Sequence, residues 1–229
     1  METASASILK QMTERMQHRG PDADGHFVEK GIALGHRRLS IIDLSDAATQ
    51  PMHDKSRRYT IIYNGEVFNY QEIREELALS DTQSQSDTDV ILAAYAAWGP
   101  DCLKRMNGMF AFAIWDQEEQ TLFIARDRMG IKPVYYSIQN GQLVFASEIR
   151  SLLASGMVSP VLNHQALPEY LKYYSVNSPN TLLKDVYMLP AASFAIWKHN
   201  EIKVKQYWDL TENRNLFDSI DREEVKAEL

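Results

Sequence analysis

Residues Gly108 to Glu148 read GMFAFAIWDQEEQTLFIARDRMGIKPVYYSIQNGQLVFASE. Four apolar runs stand out, GMFAFAIWD, TLFIARD, KPVYYSI and QLVFASE, each rich in β-branched or aromatic residues and each of strand length. Polar turns containing Gln117-Glu118-Glu119 and Gln139-Asn140-Gly141 separate some of them, so the stretch predicts a meander of consecutive antiparallel strands. Upstream, GHFVEKGIALGHRRLSII predicts two strands around Glu29-Lys30-Gly31, and RRYTIIY predicts a buried strand. Helices flank these strands. SASILKQMTERM places Ile8, Met12 and Met16 four apart on one face; NYQEIREEL is a helix that Asn69 can cap; SDTDVILAAYAAWG is one capped by Ser86 and stopped at Gly99-Pro100. Downstream come two helical segments, EIRSLLAS and QALPEYLKYY, and a hairpin, SFAIWK-HNE-IKVKQYW. Strands that follow one another, with helices grouped outside them, predict an α+β fold of packed layers and not a βαβ crossover fold.

Composition excludes several function classes. The chain has 229 residues, 45% apolar and 24% charged, the profile of a globular protein with a full core. A net charge of -7, with no Lys/Arg stripe, argues against nucleic acid. No apolar run reaches the length of a membrane span, and METASASILK carries no signal-peptide pattern. The single cysteine, Cys102, leaves no disulfide framework and suits a reducing cytoplasm. Six histidines at 18, 26, 36, 53, 164 and 199 form no metal-ligand spacing, so no metal is expected.

One stretch resists a purely local reading. In YNGEVFNY (Tyr63 to Tyr70), Asn64-Gly65 falls between the RRYTIIY strand and the NYQEIREEL helix. Alone it is the strongest short turn signal. It stands, however, among RGPDADG (Arg19 to Gly25), GHRRLSIID (Gly35 to Asp43), TQPM (Thr49 to Met52), SDTD (Ser86 to Asp89), ARDRMGIKPVYY (Ala125 to Tyr136), FASEIRSLL (Phe145 to Leu153) and YWDL (Tyr207 to Leu210). In this order, across nearly the whole chain, these motifs resemble the glutaminase half of glutamine-hydrolysing asparagine synthetases, which are class II glutamine amidotransferases. RGPD, RRLSIID, NGE and GIKPxYY together favour that branch over the phosphoribosylamine and glucosamine-phosphate branches.

The resemblance implies a four-layer αββα sandwich of two mainly antiparallel sheets, of the N-terminal-nucleophile hydrolase type. It implies a glutaminase domain over residues 1–210, with 211–229 as linker and the start of an absent C-terminal synthetase domain. It assigns glutamine as substrate and gives roles by position. The side-chain amide of Asn64 and the backbone N–H of Gly65 form the oxyanion hole. Arg38 pairs with the α-carboxylate, and Glu66 and Asp87 hold the α-ammonium. Those residue types suit the tasks: fixed donors stabilise a developing oxyanion, a planar guanidinium forks onto a carboxylate, and glycine admits close approach. Read without the resemblance, Asp87 complements a helix dipole and Arg38 makes a surface ion pair. No cofactor is expected in this chain; ATP and Mg are expected for the synthetase domain, which amidates aspartate. Further partners implied are that domain, on the same polypeptide, and a second copy in a homodimer.

The departure lies at the start. The family opens on a cysteine strand of the type CGIxGxF, whose thiol attacks and whose α-amine serves as base. Here METASASILK leads directly into the first helix, so the nucleophile and its strand are expected upstream of Met1. Cys102 is read as a small buried hydrophobe, and Thr3 is not read as a nucleophile. The printed chain is accordingly expected to be inactive. Two alternatives stay open: an amidotransferase serving another acceptor, as in surface-polysaccharide assembly, and a non-catalytic remnant. A helix is expected to begin at Asp221.

Overall fold

The computed structural model describes residues 5–39, 49–79 and 86–213. The helices are α1 (Ala6–Glu14), α2 (Tyr70–Glu76), α3 (Asp87–Trp98), α4 (Cys102–Arg105), α5 (Ile149–Ala154) and α6 (Leu167–Tyr173). The strands are β1 (Ala23–Glu29), β2 (Ile32–Arg38), β3 (Met52–His53), β4 (Tyr59–Val67), β5 (Gly108–Asp116), β6 (Thr121–Arg126), β7 (Tyr135–Gln139), β8 (Gln142–Ala146), β9 (Tyr187–Met188), β10 (Ser193–Lys198) and β11 (Glu201–Gln206). The helix expected from Asp221 lies outside the described residues, as do Thr3 and Ser40 to Asp43 of the GHRRLSIID motif.

All strand pairs are antiparallel, and the layers follow from alternation along the strands. A six-stranded sheet runs in the order β11-β10-β6-β5-β4-β3. On its central strand β5, Phe110, Phe112 and Ile114 pack with Ile61, Tyr63 and Val67 of β4 against Val90, Ile91 and Ala94 of α3. Ala111, Ala113 and Trp115 turn to the other side, where Ile32 and Leu34 of β2 and Phe145 and Leu143 of β8 complete a second core. The period-two pattern of GMFAFAIWD is thus buried on both faces, as the middle of a sandwich requires. The opposing layer comes in two pieces, β1-β2 and β8-β7-β9. Beyond it lie α1 and α5, joined to it through Met12, Val144 and Leu152 and tied together by Ser151 Oγ donating to the Met12 carbonyl at 2.8 Å. The order helix, sheet, sheet, helix agrees with the α+β sandwich the sequence implied.

Two local expectations change. The meander is one in sequence only: β5 and β6 pair in the large sheet, while β7 and β8 pair in the opposing layer. The switch is made by residues 127–134, organised by Asp127. This fully buried carboxylate accepts from the backbone N–H groups of Phe110, Met129, Ile131 and Lys132 at 2.9–3.2 Å. Asn69 precedes α2 without a side-chain cap; its amide instead donates to the Arg105 carbonyl and accepts from Asn107 N–H at 2.9 and 2.8 Å. A partner brought in by the fold outcompetes the local one.

Candidate functional site

Asn64-Gly65-Glu66 is not a turn. The stretch continues β4 to Val67, in register with β5: Asn64 faces Ala111, Gly65 Phe110 and Glu66 Met109. Gly65 is there because the two strands meet too closely for a side chain. A Cβ on it would stand 2.1 Å from the Met109 carbonyl oxygen and 2.7 Å from the Phe110 Cα, and its φ is +154°. Alternation then puts Asn64 and Glu66 on the face that carries Ile62, toward the opposing layer, and Tyr63 and Val67 on the α3 face.

Between the layers lies a cavity of about 2080 Å³, and all five residues assigned from sequence line it: Arg38, Asn64, Gly65, Glu66 and Asp87. They arrive from three elements. Arg38 ends β2, where its carbonyl accepts from Asp22 N–H at 3.1 Å. Asp87 opens α3, with its Oδ2 accepting from the Tyr63 hydroxyl at 2.6 Å and from Val67 N–H at 3.0 Å. A guanidinium and two carboxylates therefore border the space beside the Asn64 amide. That set suits a zwitterionic amino acid whose amide end lies at Asn64.

Three further residues support the site and were not assigned from sequence, although they fall in the quoted stretches GHRRLSIID, TQPM and YNGEVFNY. His36 reaches from β2 across to β4, and its Nε2 donates to the Tyr63 carbonyl at 3.0 Å. Burial, reinforced by the Arg38 cation, pushes its pKa down to about 4, so the imidazole is neutral at physiological pH. Gln50 accepts from Tyr63 N–H at 2.6 Å. Tyr63, 5% exposed, is the third; burial and the Asp87 charge push its hydroxyl pKa up, keeping it a donor. These residues touch through the fold and not through spacing, which is why motif reading passed over them.

Cys102 begins α4, fully buried in the core on the α3 side of the large sheet, and burial pushes its thiol up to about 12. It does not border the cavity, as the sequence suggested. Among the described residues, no group of three or more His, Cys, Asp or Glu could hold a metal ion. No described helix is long and apolar enough to cross a membrane.

Comparison with known proteins identifies the family. Residues 1–208 match the glutamine amidotransferase domain family. Asparagine synthetase [glutamine-hydrolyzing] 1 of Bacillus subtilis is 39% identical over 204 residues, covering 88% of this chain and 32% of that protein. Amidase chyE of Penicillium rubens is 38% identical over 205 residues, covering 88% of this chain and 30% of the amidase. The chain thus spans about a third of the length of these relatives. Among solved structures, glutamine phosphoribosylpyrophosphate amidotransferase from B. subtilis aligns with a TM-score of 0.68 at 17% identity, covering 90% of this chain and 48% of that one, which is a likeness of fold. The chain belongs to the glutamine amidotransferase family, on the fold of the N-terminal-nucleophile amidotransferases and with its sequence kinship among the glutamine-hydrolysing asparagine synthetases.

Proposed function

We propose that this domain hydrolyses glutamine to glutamate and ammonia as the glutaminase part of an asparagine synthetase. The observation that carries the proposal is the convergence of Arg38, Asn64, Gly65, Glu66 and Asp87 on one cavity from three separate elements. In this reading Arg38 pairs with the α-carboxylate, Asp87 and Glu66 hold the α-ammonium, and the Asn64 amide and Gly65 N–H stabilise the tetrahedral oxyanion. The ammonia then amidates aspartate at a synthetase part of the parent polypeptide. ATP and Mg²⁺ belong to that part, and no described residue is assigned to them.

The nucleophile, in the same proposal, is a cysteine on a strand that enters between β2 and β8. Among the described residues each of these strands pairs on one side only, and both border the cavity. On the cavity floor, the Trp115 indole N–H is buried without a hydrogen-bond partner among the described residues. Open strand edges and an unmatched donor suit an added backbone.

The test compares the 229-residue chain with the same chain extended at its N-terminus by a CGIxGxF-type strand. Only the extended form should release glutamate. On it, Asn64→Ala should lower kcat roughly 10²–10³-fold with a far smaller change in KM, because the amide matters most once the oxygen is charged. Asp87→Ala should act mainly on KM, since the α-ammonium is charged throughout. Glutamate release by the unextended chain, abolished by Cys102→Ser, would refute the assignment.

A second reading keeps the glutaminase and changes the acceptor. It is favoured by the amidase relative, as similar to this chain as the synthetase is. In both readings this domain does the same chemistry, and the acceptor is chosen elsewhere in the parent protein. Glutamine-dependent ATP consumption by the parent protein that aspartate leaves unchanged would select this reading.

A further inference from the structure

We propose that Tyr63 is a positioning residue that fixes the α-ammonium end of the glutamine site relative to its oxyanion end, an inference that rests on the roles given above to Asn64 and Asp87. Tyr63 is next to Asn64 in β4, and each of its polar groups is engaged by a different part of the fold. Its N–H donates to Gln50 Oε1 at 2.6 Å, its carbonyl accepts from His36 Nε2 at 3.0 Å, and its hydroxyl donates to Asp87 Oδ2 at 2.6 Å. The first two bonds hold the peptide that leads into Asn64. The third reaches the α3 side of the sheet and holds the carboxylate of Asp87.

A carboxylate on a first helical turn has several staggered rotamers open to it. Here two donors, the Tyr63 hydroxyl and Val67 N–H, converge on the same oxygen, Oδ2. That convergence selects one rotamer, and the remaining oxygen, Oδ1, is left to meet an ammonium group. Tyr63 is itself buried, packed in the core with Phe112 opposite it on β5. One rigid ring thus connects the amide of Asn64, through a single peptide unit, to the carboxylate of Asp87. The two ends of a bound glutamine are spaced by a covalent and hydrogen-bonded frame, not by two independently mobile side chains.

Tyr63→Phe removes only the hydroxyl and keeps the ring in the core; a melting temperature within a few degrees of the parent verifies that the fold is retained. Isothermal titration of the full chain with L-glutamine, and with glutaramate, which lacks the α-amino group, reads the effect. Tyr63→Phe should weaken L-glutamine binding roughly three- to tenfold, the worth of one hydrogen bond, and leave glutaramate unchanged. In an Asp87→Asn background the same substitution should have no further effect, because Tyr63 acts through Asp87. Equal weakening of both ligands, or losses that simply multiply in the double variant, would overturn the inference. A loss in Asp87→Asn with none in Tyr63→Phe would also overturn it, while leaving the proposed function standing. Unchanged glutamine affinity in Asp87→Asn, or no glutamine binding by either the 229-residue chain or its strand-extended form, would overturn the assignment of Asp87 and this inference together.

Discussion

His36 sits where the two layers touch, partly buried and bonded to the Tyr63 carbonyl, with its pKa pushed down from 6.5 to about 4. The sign of its contribution follows from linkage. In the unfolded chain the imidazole takes up a proton near pH 6.5; in the folded chain it does so only near pH 4. Between these values the unfolded state binds more protons, so stability is intact above pH 6.5 and is lost as pH falls toward 4. At about 1.4 kcal/mol per pH unit, the loss across that window is on the order of 3 kcal/mol. Denaturant unfolding of the parent and of His36→Gln at several pH values should show this slope in the parent and its absence in the variant. Equal slopes in the two would contradict the burial of a neutral histidine. Asn64 is the complementary case at this scale. Its sequence signal as a turn residue was strong and local, and β5 overruled it by pairing residue for residue through Val67.

At the scale of elements, the connection from β6 to β7 decides which layer each half of the meander joins. Asp127 holds it with four backbone N–H bonds, and Arg126 completes the grip by donating to the carbonyls of Lys132, Leu189 and Gly130 at 2.5–2.8 Å. Asp127→Ala leaves several buried donors without an acceptor and should cost about 3–5 kcal/mol, measured by urea unfolding. Asp127→Asn keeps one acceptor oxygen and should cost clearly less. Equal stability of parent and Asp127→Ala would mean that the connection is held by its packing alone. The ARDRMGIKPVYY motif drew notice in the sequence for its resemblance; in the structure its aspartate is an organiser of backbone.

For the whole molecule, the notable feature is an inter-layer cavity bordered by two strands that, among the described residues, each pair on one side only. Its lining mixes the site residues with apolar side chains of the second core, Ala113, Trp115, Leu122 and Ile124 among them. Filling it with a strand carrying three large apolar side chains should contribute on the order of 5–9 kcal/mol, comparable with the stability of a whole domain. The strand-extended chain is therefore expected to melt well above the 229-residue chain and to lose binding of a hydrophobic dye. Equal melting temperatures and equal dye binding would count against the groove as the strand's place.

The fold class, most element positions and the family are legible in the sequence, because periodicity, turn residues and ordered motifs are properties of neighbours along the chain. The alternation of FAFAIW, the hairpin at Lys30-Gly31 and the helix opening at Asp87 are all of this kind. The sequence also named five residues that the fold brings to one cavity. Only the tertiary structure decided that Asn64-Gly65-Glu66 runs on as strand, that Asn69 bonds to Arg105 and Asn107 in place of its own helix, and that the meander divides between layers. It alone joined His36, Gln50, Tyr63 and Asp87 into one hydrogen-bonded frame. The physical reason is common to all of these. Each depends on a partner distant along the chain, such as Gln50 for Tyr63, Asn107 for Asn69 or Ala111 for Asn64, and such a partner exists only once the layers have packed.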